Sequence, residues 1–90
     1  MNSYLRINTN TSAVVSSVAC VLKRIVINKK GASSNVLNVY DGAAINGTLV
    51  ASIDTTTAVG DIECDIALNR GMFINIPNVG TAADVTIVYK

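Results

Sequence analysis

One segment of this chain occurs twice, and any fold must give both copies comparable surroundings. Arg24–Asp41, R-I-V-I-N-K-K-G-A-S-S-N-V-L-N-V-Y-D, returns without a gap as Phe73–Lys90, F-I-N-I-P-N-V-G-T-A-A-D-V-T-I-V-Y-K. At a constant offset of 49 positions Ile25 falls on Ile74, Ile27 on Ile76, Gly31 on Gly80, Val39 on Val88 and Tyr40 on Tyr89. Each copy is a β-branched run, a polar loop containing Gly, and a second β-branched run ending in Val-Tyr. That is the pattern of a β-hairpin with a long loop. Two such hairpins can form matching halves of one β-sandwich, each covering the other's apolar face.

The remainder of the chain agrees with an all-β fold. Val and Ile dominate the apolar residues, and their branched Cβ suits a pleated surface better than a helix. No window sustains a 3.6-residue apolar period over helical length. Tyr4–Asn8 alternates as a short edge strand, and Ala13–Val18 is a second short strand. Residues 1–12 are otherwise a frayed terminus or an arm that reaches a neighbouring subunit. Cys20–Asn28 is a long strand whose alternation slips at Lys23-Arg24, which predicts a bulge. Gly31 is available for positive φ in the loop that follows. Val36–Asp41 sets Leu37 and Val39 against Val36, Asn38 and Tyr40. Asp41-Gly42 and Asn46-Gly47 mark turns. Thr48–Asp54 places Leu49, Ala51 and Ile53 on one face. Ile62–Leu68 alternates most cleanly, with Ile62, Cys64, Ile66 and Leu68 inward. Met72, Ile74 and Ile76 share a face before Pro77 ends that strand. Val85, Ile87 and Tyr89 face one way in the last strand. The expectation is one antiparallel sandwich domain over residues 1–90, Greek-key or jelly-roll-like, of about seven or eight strands.

Composition narrows the function. Half of the 90 residues are apolar and only 14% are charged, with a mean hydropathy of +0.44. A domain this small buries only about 60–65% of its unfolded surface, so part of that apolar set is expected at an interface with another subunit. The net charge of +1 argues against a nucleic-acid partner, which calls for a basic footprint. No apolar stretch is long enough to span a membrane: Ala13–Leu22 is short and interrupted by Ser16 and Ser17. The Val18-Ala19-Cys20 within it is a poor match to a lipoprotein signal, because Asn8–Ser12 is polar where an apolar region should begin.

Chemistry is scarce. There is no His, so neither a zinc site nor a His-activated Ser or Cys nucleophile has support. Cys20 and Cys64 lie inside strands and are read as two buried thiols, with a single disulfide as the alternative. No Gly-rich phosphate loop is present, and no cofactor or small-molecule substrate is expected. We expect a protein that is not an enzyme.

Five groups stand out as candidate contacts. Asp61, Glu63 and Asp65 share a strand face, but a straight strand cannot aim three carboxylates at one calcium ion, and a solvated acidic face is the better reading. Lys23, Arg24, Lys29 and Lys30 are basic, yet Lys23 and Arg24 alternate faces. Edge protection accounts for them, with Lys29 and Lys30 kept as contacts. Tyr40 and Tyr89 are either a ligand platform or rim residues capping the two hairpins. Thr55, Thr56 and Thr57 form a polar loop that a partner can touch, and Tyr4 and Arg6 are the matching candidates in the N-terminal segment.

The run I-V-I-N-K-K-G-A-S-S-N-V-L-N-V-Y-D-G, then G-T-L-V-A-S-I-D-T-T and the closing G-T-A-A-D-V-T-I-V-Y-K, resembles small β-sandwich structural proteins of tailed bacteriophages. The resemblance covers Leu22 to Lys90. It implies a virion protein of the capsid decoration or cement type, made in the host cytoplasm and sitting on the capsid surface. Such a protein contacts the major capsid protein and copies of itself, typically as a homotrimer. No functional residues carry over, because the shared positions are strand and turn positions. The competing expectations are a carbohydrate- or ligand-binding sandwich, disfavoured by the shortage of aromatic residues, and a head–tail connector or tail component.

Overall fold

The computed structural model describes residues 2–57 and 59–90. Met1, at the start of the candidate arm, and Ala58, in the connection after Thr57, lie outside the described residues. The strands are β1 (Ser3–Ile7), β2 (Ser12–Ser16), β3 (Cys20–Lys29), β4 (Val36–Asp41), β5 (Thr48–Asp54), β6 (Gly60–Leu68), β7 (Met72–Asn75) and β8 (Asp84–Tyr89). They form two four-stranded antiparallel sheets, ordered β1-β8-β3-β6 and β2-β7-β4-β5. We refer to these as sheet 1 and sheet 2. Eight strands in this order make a jelly roll, in which a ribbon of nested antiparallel pairs is rolled into two layers.

The repeated segment is not a pair of hairpins. β3 lies in sheet 1 and β4 in sheet 2, and β7 and β8 likewise lie in different sheets. Each copy is therefore an arch that crosses between layers. The two copies pair with each other, β3 with β8 and β4 with β7. Burial explains the preference. A hairpin would leave both strands of a copy in one layer, whereas the arch closes each copy's β-branched faces over one shared core.

The first strands of the arches are equivalent. Ile25 and Ile27 of β3, like Ile74 and Ile76 at β7, point into the core. The return strands are not, because Leu37 follows Ile27 by ten positions while Val85 follows Ile76 by nine. With a side-chain period of two, that one-residue difference inverts the faces. Tyr40 consequently points outward on sheet 2, whereas Tyr89 packs against the core.

The core consists of Leu22, Ile25, Leu37, Val39, Leu68, Met72, Ile74, Val85 and Ile87, all at most 2% exposed, with Ile7, Ile27, Ile76 and Ala83 around them. The expected slip at Lys23-Arg24 is a bulge: the register shifts there against both neighbours, and Asp65 opposite takes a left-handed φ of 51°. A second bulge corrects the reading of β5. The register shifts where Val39 and Tyr40 face Ala51 and Leu49, which turns Val50 toward the core and Leu49 out beside Tyr40. The N-terminal segment is no free arm, since Ser3 to Ile7 pair residue by residue with Tyr89 to Val85. β1 is the edge strand that its alternation suggests.

Candidate interaction surface

Register across the four strands of sheet 2 builds two parallel rows on its outer face. Val14 pairs with Phe73, Phe73 with Tyr40, and Tyr40 with Leu49. Their outward side chains make an apolar row that runs from edge to edge. Val14 is 49% and Leu49 52% exposed, and the Tyr40 and Phe73 rings lie between them, 6.2 Å apart and tilted by 59°. The adjacent row is Ser12, Asn75, Asn38 and Ser52. Here Ser12 Oγ donates to Asn75 Oδ1 and Ser52 Oγ donates to Asn38 Oδ1, each at 2.7 Å. The serines occupy the carbonyl ends of the amides, and neither NH2 group makes a hydrogen bond to another described residue.

The two outer faces differ in charge. Sheet 1 carries Tyr4, Val88, Arg24 and Glu63 in one row and Arg6, Thr86, Val26 and Asp61 in the next. Lys23 bonds Asp65 at 2.8 Å, and Arg6 Nε donates to Asp84 Oδ1 at 3.0 Å while its Nη2 engages Oδ2. That pairing holds the Asp84 carboxyl below the usual carboxylate range and raises the guanidinium in turn. Those two pairs are satisfied, whereas Arg24 Nε is buried without a hydrogen-bond partner among the described residues. On the outer face of sheet 2 the described residues carry no charge except Asp54 at one end, where it accepts hydrogen bonds from Thr56 N and Oγ1.

The candidate contacts separate into two groups. Tyr4, 72% exposed, and Arg6 lie on sheet 1, with Arg6 already committed to Asp84. Lys29, Lys30 and Thr57 are exposed at the end of the sandwich where the arch loops meet. Gly31 N donates to Thr55 O at 3.0 Å and so joins the Lys-bearing loop to the Thr loop. Thr55 is a correction, because it is fully buried. Its Oγ1 lies 2.6 Å from Asn35 Oδ1 and its amide donates to Asn35 O, so it pins the loops together and offers nothing to a partner. Thr56 is half-buried and bonded to Asp54.

Gly31 also differs from expectation, since positive φ falls instead on Ser33 and Ser34, at 57° and 67°, and on Gly80, at 71°. Gly31 is required for closeness: a Cβ there would stand 2.7 Å from both Thr81 O and Thr55 Oγ1. The two glycines of the repeat thus sit where its two loops touch, beside the reciprocal bonds of Ala32 and Thr81.

Tyr40 and Tyr89 form no shared platform, because they face different ways. Asp61, Glu63 and Asp65 stand exposed on the edge strand β6, as a solvated acidic face. Cys20 and Cys64 are free thiols, half-buried, and pushed up mainly by burial. Sequence reasoning missed the row Val14–Phe73–Tyr40–Leu49, since its ends meet the aromatics only through a register that a bulge shifts.

No protein-family model matches this chain, and no curated protein does. Solved structures match over its whole length. The Drosophila NLP core, described for pentamer formation and histone binding, is similar at a TM-score of 0.62 and 12% identity, over 100% of this chain and 96% of that one. A structure of Bacillus endospore appendages, a family of disulfide-linked pili, is similar at a TM-score of 0.55 and 14% identity, over 99% of this chain and 82% of that one. At these identities the likeness is one of fold.

Proposed function

We propose that this protein is a structural subunit of a bacteriophage virion, a capsid decoration or cement protein that associates with copies of itself on the head shell and contacts the major capsid protein. The observation that carries the proposal is the edge-to-edge apolar row on sheet 2, on a face that carries almost no charge. Exposed apolar surface of this kind belongs to a contact with another macromolecule. The phage resemblance of Leu22 to Lys90 supplies the setting and implies clusters of three copies. The jelly roll agrees with it, since viral capsid domains are one of the uses of that architecture, and the Drosophila NLP core shows that a sandwich of this kind can assemble as a pentamer.

Function in this reading is mechanical. A rigid wedge repeated over a shell adds many weak contacts, so no single one need be tight. Head shells with and without the protein should then differ in their resistance to heat and low salt, the decorated shells surviving longer. Equal survival would remove the reading.

A second reading, a tail or head–tail component, is favoured by the open edges of β1, β2, β5 and β6, which are available for end-to-end assembly; the endospore appendages of similar fold form disulfide-linked pili. Electron microscopy of the concentrated protein separates the two, because only this second reading expects rings or filaments without a shell.

A further inference from the structure

The outer face of sheet 2 has a symmetry that names its occupant. Across its width the rows run Val14, Phe73, Tyr40, Leu49 and Ser12, Asn75, Asn38, Ser52. Each row has the same chemistry from either end: aliphatic, aromatic, aromatic, aliphatic in one, and hydroxyl, amide, amide, hydroxyl in the other. The midline of both falls between β7 and β4. We propose that this face pairs with the same face of a second copy, about a two-fold axis parallel to the strands and lying over that midline.

Such an axis reverses the order of the strands and leaves the height along them unchanged. Leu49 of one copy then lies over Val14 of the other, Tyr40 over Phe73, Asn38 over Asn75 and Ser52 over Ser12. Apolar row meets apolar row, and two identical sheets stack in the aligned manner of a β-sandwich. This is an isologous contact, in which each residue pair occurs twice. The polar row also matches itself, because the amides and hydroxyls of both copies accept as well as donate.

Charge favours a copy of this chain over an unrelated charged surface. The middle of the face holds no ionised group, so two copies meet without like-charge repulsion and without stripping water from an ion. Sheet 1, whose outer face carries Arg, Lys, Asp and Glu, stays in solvent.

The inference rests on the self-association in the proposed function and adds the surface and its symmetry. It predicts an even number of copies, in place of the clusters of three that the phage resemblance implies. Sedimentation of the full chain over a range of concentrations should show a monomer–dimer equilibrium or an even multiple. Leu49→Glu and Val14→Glu should each shift it to monomer by at least tenfold in dissociation constant. Both residues are half exposed on edge strands, so an unchanged far-UV spectrum and cooperative melting will certify the fold. Geometry is read separately with Cys20→Ala and Cys64→Ala in the background. Val14→Cys protein mixed with Leu49→Cys protein should join through a short bifunctional thiol reagent, while Val14→Cys alone should join poorly. Equal joining in both cases, or a dimer indifferent to Leu49→Glu, would overturn the pairing. A trimer would overturn it too, while leaving the decoration reading in place. A chain that stays monomeric at high concentration removes both this inference and the self-association beneath it.

Discussion

Thr55 Oγ1 lies 2.6 Å from Asn35 Oδ1, and neither residue exposes any surface. The Asn35 amide in turn donates to Asn10 Oδ1 at 2.8 Å and to Val79 O at 3.1 Å, and Asn10 Nδ2 reaches Gly80 O at 3.1 Å. One buried side chain therefore ties the β1–β2 turn, both arch loops and the β5–β6 connection into a single end. Replacing Thr55 by Val keeps the shape and strands a buried carbonyl oxygen, which costs about 1–3 kcal/mol. The expected fall in melting temperature is about 4–8 °C per kcal/mol for a domain of this size. Thr55→Ser should recover most of it, and a melt indistinguishable from wild type in Thr55→Val would refute the role.

The glycines of the chain are not interchangeable. Gly80 has φ of +71°, and a Cβ there would collide with the Ala32 and Ser33 carbonyl oxygens across the arch contact. Gly60 has φ of +123° but nothing within 4 Å. Both Ala variants strain the backbone, and only Gly80→Ala also forces the loops apart. Thermal melts should rank Gly80→Ala well below Gly60→Ala.

Acid should act through Asp84. Its folded pKa is lowered, first by the hydrogen bond from Arg6. The stability from this pair is therefore present above the pKa of an unfolded Asp, about 3.9, and fades as pH falls through the lower folded value. Melting temperatures of wild type and Arg6→Gln, followed as pH is lowered, should differ at neutral pH and converge in acid. A gap that persists to the lowest pH would assign the effect of Arg6 to packing.

Redox conditions should matter little to the isolated domain. Cys20 and Cys64 are separate free thiols, and burial pushes both toward the protonated, less nucleophilic form. Adding reductant should leave the melting temperature unchanged. A thiol reagent at neutral pH should label the folded chain more slowly than the denatured one.

Strand positions, the bulge at Lys23-Arg24, the inward face of β6 and the shared faces of β4, β7 and β8 were legible in the sequence, because alternation in β-branched residues records burial directly. Pairing was not. The repeat shows that two segments are alike, yet it is silent on whether a strand returns beside its neighbour or crosses to the other layer, a choice made by long-range burial. Tyr40 and Tyr89 mark the limit: identical letters at equivalent positions face opposite ways because the second copy re-enters the core at Val85, one position before Thr86, the equivalent of Leu37. Thr55 looked like loop polarity, and only the three-dimensional meeting with Asn35 reveals a buried anchor. Simple alternation puts Leu49 on one face with Ala51 and Ile53, and the extra residue at Val50 turns it out.

β8, the most C-terminal of the eight strands, fills the slot between β1 and β3. Sheet 1 therefore cannot knit until the segment from Asp84 to Tyr89 is available, and nearly all of its pairings join residues far apart along the chain. Non-local topology of this kind folds on millisecond-to-second timescales. A nascent chain displaying the first seven strands would carry a groove with unpaired backbone on both walls, open to any extended peptide that arrives first. Refolding by stopped-flow should accordingly be slow, and a supplied peptide of the β8 sequence should capture the chain that ends before it.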